Sequence, residues 1–305
     1  MGAAFYNAYL HPASKFPGPK LWSAFYVFKD LTCARGDIDN KLIGLHAKYG
    51  PVVRISPDEL SFVEEQAWRD IYAHPNYLAK WPKFAFALAK PDTPADIIQS
   101  THPDHARIRR QFSHAFSEKA LKEQEDLITS YVDLLMARLT DAAADGTVID
   151  IVKWYNFTTF DIISDLAFGE SFHSLKTGAY HPWVSSIFNN IRTFSVIQSF
   201  ATYPGAKIII GLLASADMRQ SRKIHLNYSR TTVLKRLSKG TLEERKDFIS
   251  YALKHKDEDE QGVSEGEIIR TASTFIMAGS ETTATLLSGV TYLLSLNADA
   301  RRKVR

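Results

Sequence analysis

The sequence predicts a mainly α-helical fold carrying one small β-hairpin. Three observations predict it. Two β-rich runs, Val52 to Ser56 and Glu59 to Val63, are separated only by Pro57 and Asp58, which is the spacing of a hairpin. From His105 onward apolar residues recur with helical periodicity over most of the chain. Ser264 followed by Glu267 spells the S-x-x-E capping box at the head of a long apolar run.

Taken in order, residues 1–20 hold Pro12, Pro17 and Pro19. Proline fixes its own φ and disfavours helix at the residue before it, so this reads as an extended, proline-rich lead-in. Residues 21–305 read as one domain. Asp37 to Tyr49 fits a helix stopped by Gly50 and Pro51. The hairpin follows, then a short helix from Glu65 to Ala73. Tyr77 to Ser100, with Pro82, Pro91 and Pro94, reads as loop. His105 to Leu121 is an amphipathic, strongly basic helix. Glu123 to Ala144 is a helix ending at Asp145-Gly146, and Thr147 to Ile151 a short extended piece. Trp154 to Phe168 is a helix ended by Gly169. Trp183 to Phe200 and Met218 to Leu237 form a pair joined at Pro204-Gly205. Lys254 to Gly262 is a charge run of the kind solvated in loops. The last helix runs from the capping box to about Leu296, roughly 50 Å at 1.5 Å per residue.

The totals narrow the function classes. The 305 residues are 45% hydrophobic and 23% charged, with a formal net charge of +3, which is ordinary globular composition. The basic clusters are short and no nucleic-acid motif accompanies them, so no nucleic-acid partner is expected. One cysteine, Cys33, permits no intrachain disulfide. No Cys/His spacing suggests zinc, and no metal ligand is assigned. No run reaches the ~20 apolar residues of a membrane span. Ala206 to Ala216 is suited at most to lying in a membrane surface. No signal-peptide pattern opens the chain.

The chemistry-bearing stretch is Thr274 to Gly289, in the middle of the last helix. There Ala278, Gly279, Ser280, Glu281, Thr282 and Thr283 interrupt an apolar segment. Glycine weakens a helix interior by about 1 kcal/mol relative to alanine. Its missing side chain lets a flat or diatomic ligand approach the backbone. Thr282 is placed to hydrogen-bond the Ala278 carbonyl one turn back, and Glu281 brings a proton-active group alongside. Together they read as a small polar groove suited to protonating a bound molecule. The same pattern also fits a polar stripe facing solvent. Neither G-x-S-x-G nor H-E-x-x-H occurs.

This helix resembles the oxygen-binding helix of the cytochromes P-450, the heme-thiolate monooxygenases, whose pattern is (Ala/Gly)-Gly-x-(Asp/Glu)-Thr-(Thr/Ser). Residues 278–283 match every position. In family order, "FYNAYLHPASKFPGPK" resembles the proline-rich hinge of microsomal members and "KYGPVVRISPDELSF" the first helix end and hairpin. "DHARIRRQFSHAFSEKAL" resembles the helix that contacts the heme propionates, and "FTTFDIISDLAFGESF" the central helix and its following turn. Filamentous-fungal members are the most similar. The resemblance implies a heme cofactor and electrons from NADPH through NADPH–cytochrome P-450 reductase. It implies oxygen insertion into an apolar small molecule, in secondary metabolism, at the cytoplasmic face of the endoplasmic reticulum. It assigns Thr282 and Glu281 to oxygen stabilisation and proton relay, and Ala278 and Gly279 to the groove beside the iron. His105 and Arg109 take the Trp and Arg positions over the propionates. Family substrate contacts fall near Tyr77 to Ser100, Phe194 to Lys207 and Phe275.

The sequence departs from the family pattern in one respect that matters. The family's iron-ligating cysteine lies in F-x-x-G-x-R-x-C-x-G after an E-x-x-R helix, and neither that loop nor an E-x-x-R helix following the oxygen-binding helix occurs in these 305 residues. Its thiolate drives O–O cleavage, and Cys33 lies in no matching loop. The expectation is therefore the N-terminal part of the fold, ending after the oxygen-binding helix, without its membrane anchor, cytoplasmic and inactive as it stands. A non-catalytic product or a helical apolar-ligand-binding protein are the alternatives. An apolar face on the last helix and an open hairpin edge are expected with it.

Overall fold

The computed structural model describes residues 2–72, 94–200, 203, 205, 216–240, 246–254 and 262–304. The expected loop over 77–93, the surface-lying segment 206–215 and the charge run 255–261 fall outside the described residues. The chain sorts into two compact units. One comprises residues 1–83 and 187–221, the other 84–186 and 222–305.

The first unit is built on the hairpin. Strands β1 (Val52–Ser56) and β2 (Glu59–Phe62) pair antiparallel, Val52 opposite Phe62 and Arg54 opposite Leu60, with a bulge between Arg54 and Ser56. The outer edge of β1 is not bare. Arg54 N–H donates to the Pro17 carbonyl at 2.7 Å, and a side chain at Gly18 would place its Cβ 2.2 Å from the Arg54 carbonyl oxygen. Only glycine allows the lead-in to run this close to the strand.

Two sequence expectations are corrected in this unit. The lead-in is not extended throughout. Gly2–Phe5 is helical, Tyr6–Leu10 forms a π-helical turn, and Pro12–Lys15 a 3-10 turn. Pro12 holds His11 extended (φ −62°, ψ 143°) but does not act on residues further upstream, and it sits at the first turn of a helix, where its missing N–H costs nothing. Phe16 and Pro19 are extended as well, and residues 17–19 carry no regular structure. Cys33, in a stretch for which the sequence indicates no element between the lead-in and the helix from Asp37, lies within a helix, Val27–Arg35, closed by Gly36 at φ 74°. Another short helix, Lys20–Ala24, precedes it. Ile38–Tyr49 and Glu65–Tyr72 follow the sequence reading closely.

In the second unit a central helix, Ile151–Phe168, packs along the long helix Glu265–Leu296. The long helix buries Ile268, Ala272, Ile276, Ser280 and Ala284, one residue every turn. From the central helix Ile163 stands against Gly279, while Phe157 packs the other way, with Leu135 and Leu175, and Ser164 Oγ accepts the Phe172 N–H. Small residues in such a row let two backbones approach closely, and each fully buried Ile or Phe contributes about 1.5–3 kcal/mol. Tyr155 and Thr291 share a 2.7 Å hydrogen bond that ties the far end of the pair. The expected basic helix over 105–121 is interrupted. It runs His102–Ser113, tightens into a 3-10 turn at 114–116, and restarts at Glu118–Glu123. Ser117 is the cause: its hydroxyl accepts the Ala120 N–H, making a new N-cap. Helices Glu125–Ala144, Pro182–Phe200 and Ala216–Leu237 match expectation within a few residues. Phe248–Lys254 and Ala298–Val304 are helices the sequence reading did not identify. Among the described residues no helix is long and apolar enough to cross a membrane.

Candidate functional site

The long helix starts as its sequence dictates. Ser264 Oγ accepts the Glu267 N–H, and Ser264 N–H donates back to Glu267 Oε2 at 2.7 Å, completing the capping box. A partner that the sequence did not reveal is then added. Arg107, on the basic helix, donates from Nη1 to Glu267 Oε2 (3.2 Å) and to the Gly262 carbonyl (3.1 Å), and from Nη2 to Asp104 (3.0 Å) and Glu267 Oε1. The bonds to Glu267 and Asp104 hold the guanidinium more firmly protonated than usual. Burial alone would raise the Glu267 carboxyl, but the hydrogen bonds from Arg107 and Ser264 outweigh it and hold the carboxyl below the usual range.

The turn before the basic helix leans on the same helix start. Asp96 Oδ1 accepts from Ile98 and Gln99 N–H at 2.8 Å each. Arg270 donates to Gln99 Oε1 at 2.7 Å and lies 3.7 Å from Asp96. A Cβ on Gly266 would lie 2.5 Å from Pro94 Cγ. So the first turns of the long helix are held from two sides before the functional stretch begins.

Within that stretch the six residues divide between two faces. Ser280 is fully buried toward the central helix, its hydroxyl donating to the Ile276 carbonyl at 2.6 Å. A Cβ on Gly279 would stand 2.9 Å from Ile163 Cδ1 and 3.0 Å from Cγ1. Its small size is therefore used in helix packing. Ala278, Glu281, Thr282 and Thr283 are exposed. Thr282 Oγ1 donates to the Ala278 carbonyl at 2.7 Å, as its spacing predicts. Glu281 is exposed beside them. Ala278 and Thr282 are one turn apart and share a face with Phe275.

Phe275 opens a feature that sequence reasoning missed. It meets Phe112 (5.3 Å between ring centres), Phe116 (5.5 Å) and Phe248 (5.6 Å), and Phe116 meets Phe248 at 4.8 Å. These distances suit edge-on and tilted aromatic packing. The four rings come from three helical segments and the 3-10 turn, and only the four-residue spacing of Phe112 and Phe116 hinted at a shared face.

On the basic helix, Arg109 is exposed and has no ion pair among the described residues, unlike Arg107. His105 is half-buried, and its backbone N–H donates to the Thr101 carbonyl at 2.7 Å. The two lie four residues apart on one helix. Cys33 is half-buried, and burial pushes its thiol up. Among the described residues no group of three His, Cys, Asp or Glu side chains is arranged to hold a metal ion.

Comparison with known proteins is consistent with these features. The family profile "Cytochrome P450" matches residues 16–305. The "Trichothecene C-4 hydroxylase" of Trichoderma arundinaceum is 43% identical over 300 residues, covering 98% of this chain and 59% of that protein. The "Cytochrome P450 monooxygenase efuB" of Hormonema carpetanum is 41% identical over 307 residues, covering 99% of this chain and 60% of that one. The chain thus spans about 60% of the length of these curated relatives. With the family profile matched from residue 16 to residue 305, and relatives above 40% identity along nearly the whole chain, the protein belongs to the cytochrome P-450 family and corresponds to the N-terminal part of its fungal-type members.

Proposed function

We propose that this chain supplies the oxygen- and proton-handling wall of a monooxygenase that inserts one oxygen atom of O₂ into an apolar organic substrate of fungal secondary metabolism. Electrons come from NADPH through a reductase, and the whole protein works at the cytoplasmic face of the endoplasmic reticulum. The observation that carries the reading is the open face of the long helix at Ala278 and Thr282, with Glu281 beside it.

The residues present fit the family's heme. Ala278 offers a small, exposed surface on which a flat macrocycle can lie, and Gly279 supports that face from behind by admitting Ile163. The exposed guanidinium of Arg109 suits a propionate carboxylate, with His105 on the same helix. When bound, heme supplies the oxygen activation. The protein's own share is proton handling. Thr282 donates its hydroxyl hydrogen bond to the Ala278 carbonyl and so presents lone pairs outward. It accepts a hydrogen bond from a water in the open groove and fixes that water's position. Glu281 takes up a proton from solvent at a carboxylate oxygen and passes it to the same water. Phe275 and the three phenylalanines around it supply an apolar wall one to two turns away. On their own, residues 1–305 offer only the half-buried Cys33 thiol, and we infer no turnover from them alone.

The test joins residues 1–305 to the remaining part of the trichothecene C-4 hydroxylase and measures NADPH, peroxide and product together in the heme-loaded chimera. Thr282→Ala is expected to keep consuming NADPH while peroxide rises and product per NADPH falls. Glu281→Gln is expected to slow turnover by about 10²-fold or more, because an amide cannot relay a proton. Unchanged coupling in Thr282→Ala would make the exposed stripe a structural feature and overturn the reading.

A further inference from the structure

The first unit contains an open hollow of about 650 Å³ between the helices Lys20–Ala24, Val27–Arg35 and Ile38–Tyr49. Small-molecule sites span about 300–1,000 Å³. Its apolar lining is Trp22, Phe28 and Leu45, all half-buried, and Leu31, which is 41% exposed. Apolar side chains held half-open in a concavity bury further area only when something fills it. Two cations, Arg35 and Lys41, reach the same hollow from different helices, and neither has an ion pair among the described residues. Of the neighbouring acids, Asp30 accepts from Tyr203 at 2.7 Å, and Asp37, at the rim, accepts from the lining residue Asn40 at 3.1 Å. Gly44 also lines the hollow, and a Cβ there would meet nothing within 4 Å.

An apolar lining with two uncommitted cations selects a ligand that carries a hydrocarbon chain and a negative head. We propose that this hollow binds a free single-chain anionic amphiphile of the fatty-acid class. The chain lies against Trp22 and Phe28, and the carboxylate meets the Arg35 fork and the Lys41 ammonium. The hollow is lined by residues of the first unit alone, and its assignment does not rest on the proposed reaction.

The experiment titrates the 1–305 chain with ω-bromoundecanoate below its micelle threshold and follows quenching of tryptophan fluorescence by the bromine. Saturable quenching is expected, and Trp22→Phe should remove it. The Arg35→Glu/Lys41→Glu double variant should weaken binding at least about tenfold, while its far-ultraviolet circular dichroism stays unchanged because both residues are exposed. Gly44→Leu, which adds bulk where space is open, should also weaken it. A cationic amphiphile of the same chain length should compete poorly. Equal affinity for the cationic amphiphile, full affinity in the charge-reversed variant, or quenching that survives Trp22→Phe would each overturn the assignment. A parallel arm uses vesicles of phosphatidylcholine and phosphatidate. Vesicle binding with no binding of the monomeric acid would also overturn it, by showing that a lipid headgroup is the source of the anion.

Discussion

Two glycines of the long helix are equivalent in sequence terms and opposite in structural terms. Gly279 faces Ile163, and its missing Cβ is what lets the central helix approach. Gly289 has nothing within 4 Å of a built Cβ and is exposed. Gly289→Ala should therefore stabilise the protein by about 1 kcal/mol, the propensity difference alone. Gly279→Ala gains the same propensity but overpacks a filled contact, at a cost of about 1–3 kcal/mol, so the net change should be destabilising by up to about 2 kcal/mol. Ile163→Val removes the Cδ1 atom at 2.9 Å, and in that background Gly279→Ala should become neutral or stabilising. Urea unfolding of the four variants checks the signs. Had Gly279 been left open to a ligand, its alanine variant would behave like that of Gly289. The motif letters could not distinguish these cases, because the partner atom belongs to a residue 116 positions earlier in the chain, Ile163.

The long helix shows which parts of an element are legible and which are not. Its start was readable from Ser264 and Glu267, and the back-bond from Thr282 to Ala278 from four-residue spacing, since both are local. The same holds for the hairpin turn at Pro57-Asp58 and the glycine stop at Gly169 (φ 76°). What escaped the sequence is contact between distant segments: Arg107 on the capping box, Pro94 against Gly266, and the four-phenylalanine cluster. The short helices Lys20–Ala24 and Val27–Arg35 escaped because five to nine residues among prolines and aromatics carry too little periodicity. The Arg107–Glu267 pair gives the element a pH signature. A carboxyl held below its ordinary value of 4.5 binds fewer protons folded than unfolded. Its contribution is fully present above about pH 4.5 and is lost as pH falls through the folded value. Glu267→Gln should lower stability at pH 7 and flatten its decline below about pH 4.5. Denaturant midpoints measured between pH 7 and pH 3 test this, and parallel curves for the two proteins would remove the pair from the account.

At the scale of the molecule, the C-terminal half of the long helix carries an open apolar stripe. Leu286, Leu293 and Leu296 are each about two-thirds exposed, at 65%, 65% and 68%, with Val290 at 44% between them. Contiguous apolar surface of this kind drives association. The 1–305 chain should self-associate with rising concentration, and Leu286→Glu with Leu293→Glu should shift it toward monomer in sedimentation velocity. Equal sedimentation of both proteins would mean the stripe is inert. The same helix has a mechanical character. Arg107 and Pro94 hold its first turn and its own Arg270 ties it to Gln99, while Ile163 against Gly279 and Tyr155 on Thr291 hold it further along, so it behaves as a rod pinned at both ends, with Thr282 fifteen residues, about 22 Å, from the first grip. With the far pin released, a tilt of only about 5° at the first turns would swing the hydroxyl by about 2 Å, and in the proposed reaction a misplacement of about 1 Å is enough to cost some 10²-fold in rate. The aim of the threonine would thus be set by side chains at either end of the rod and not by the threonine itself.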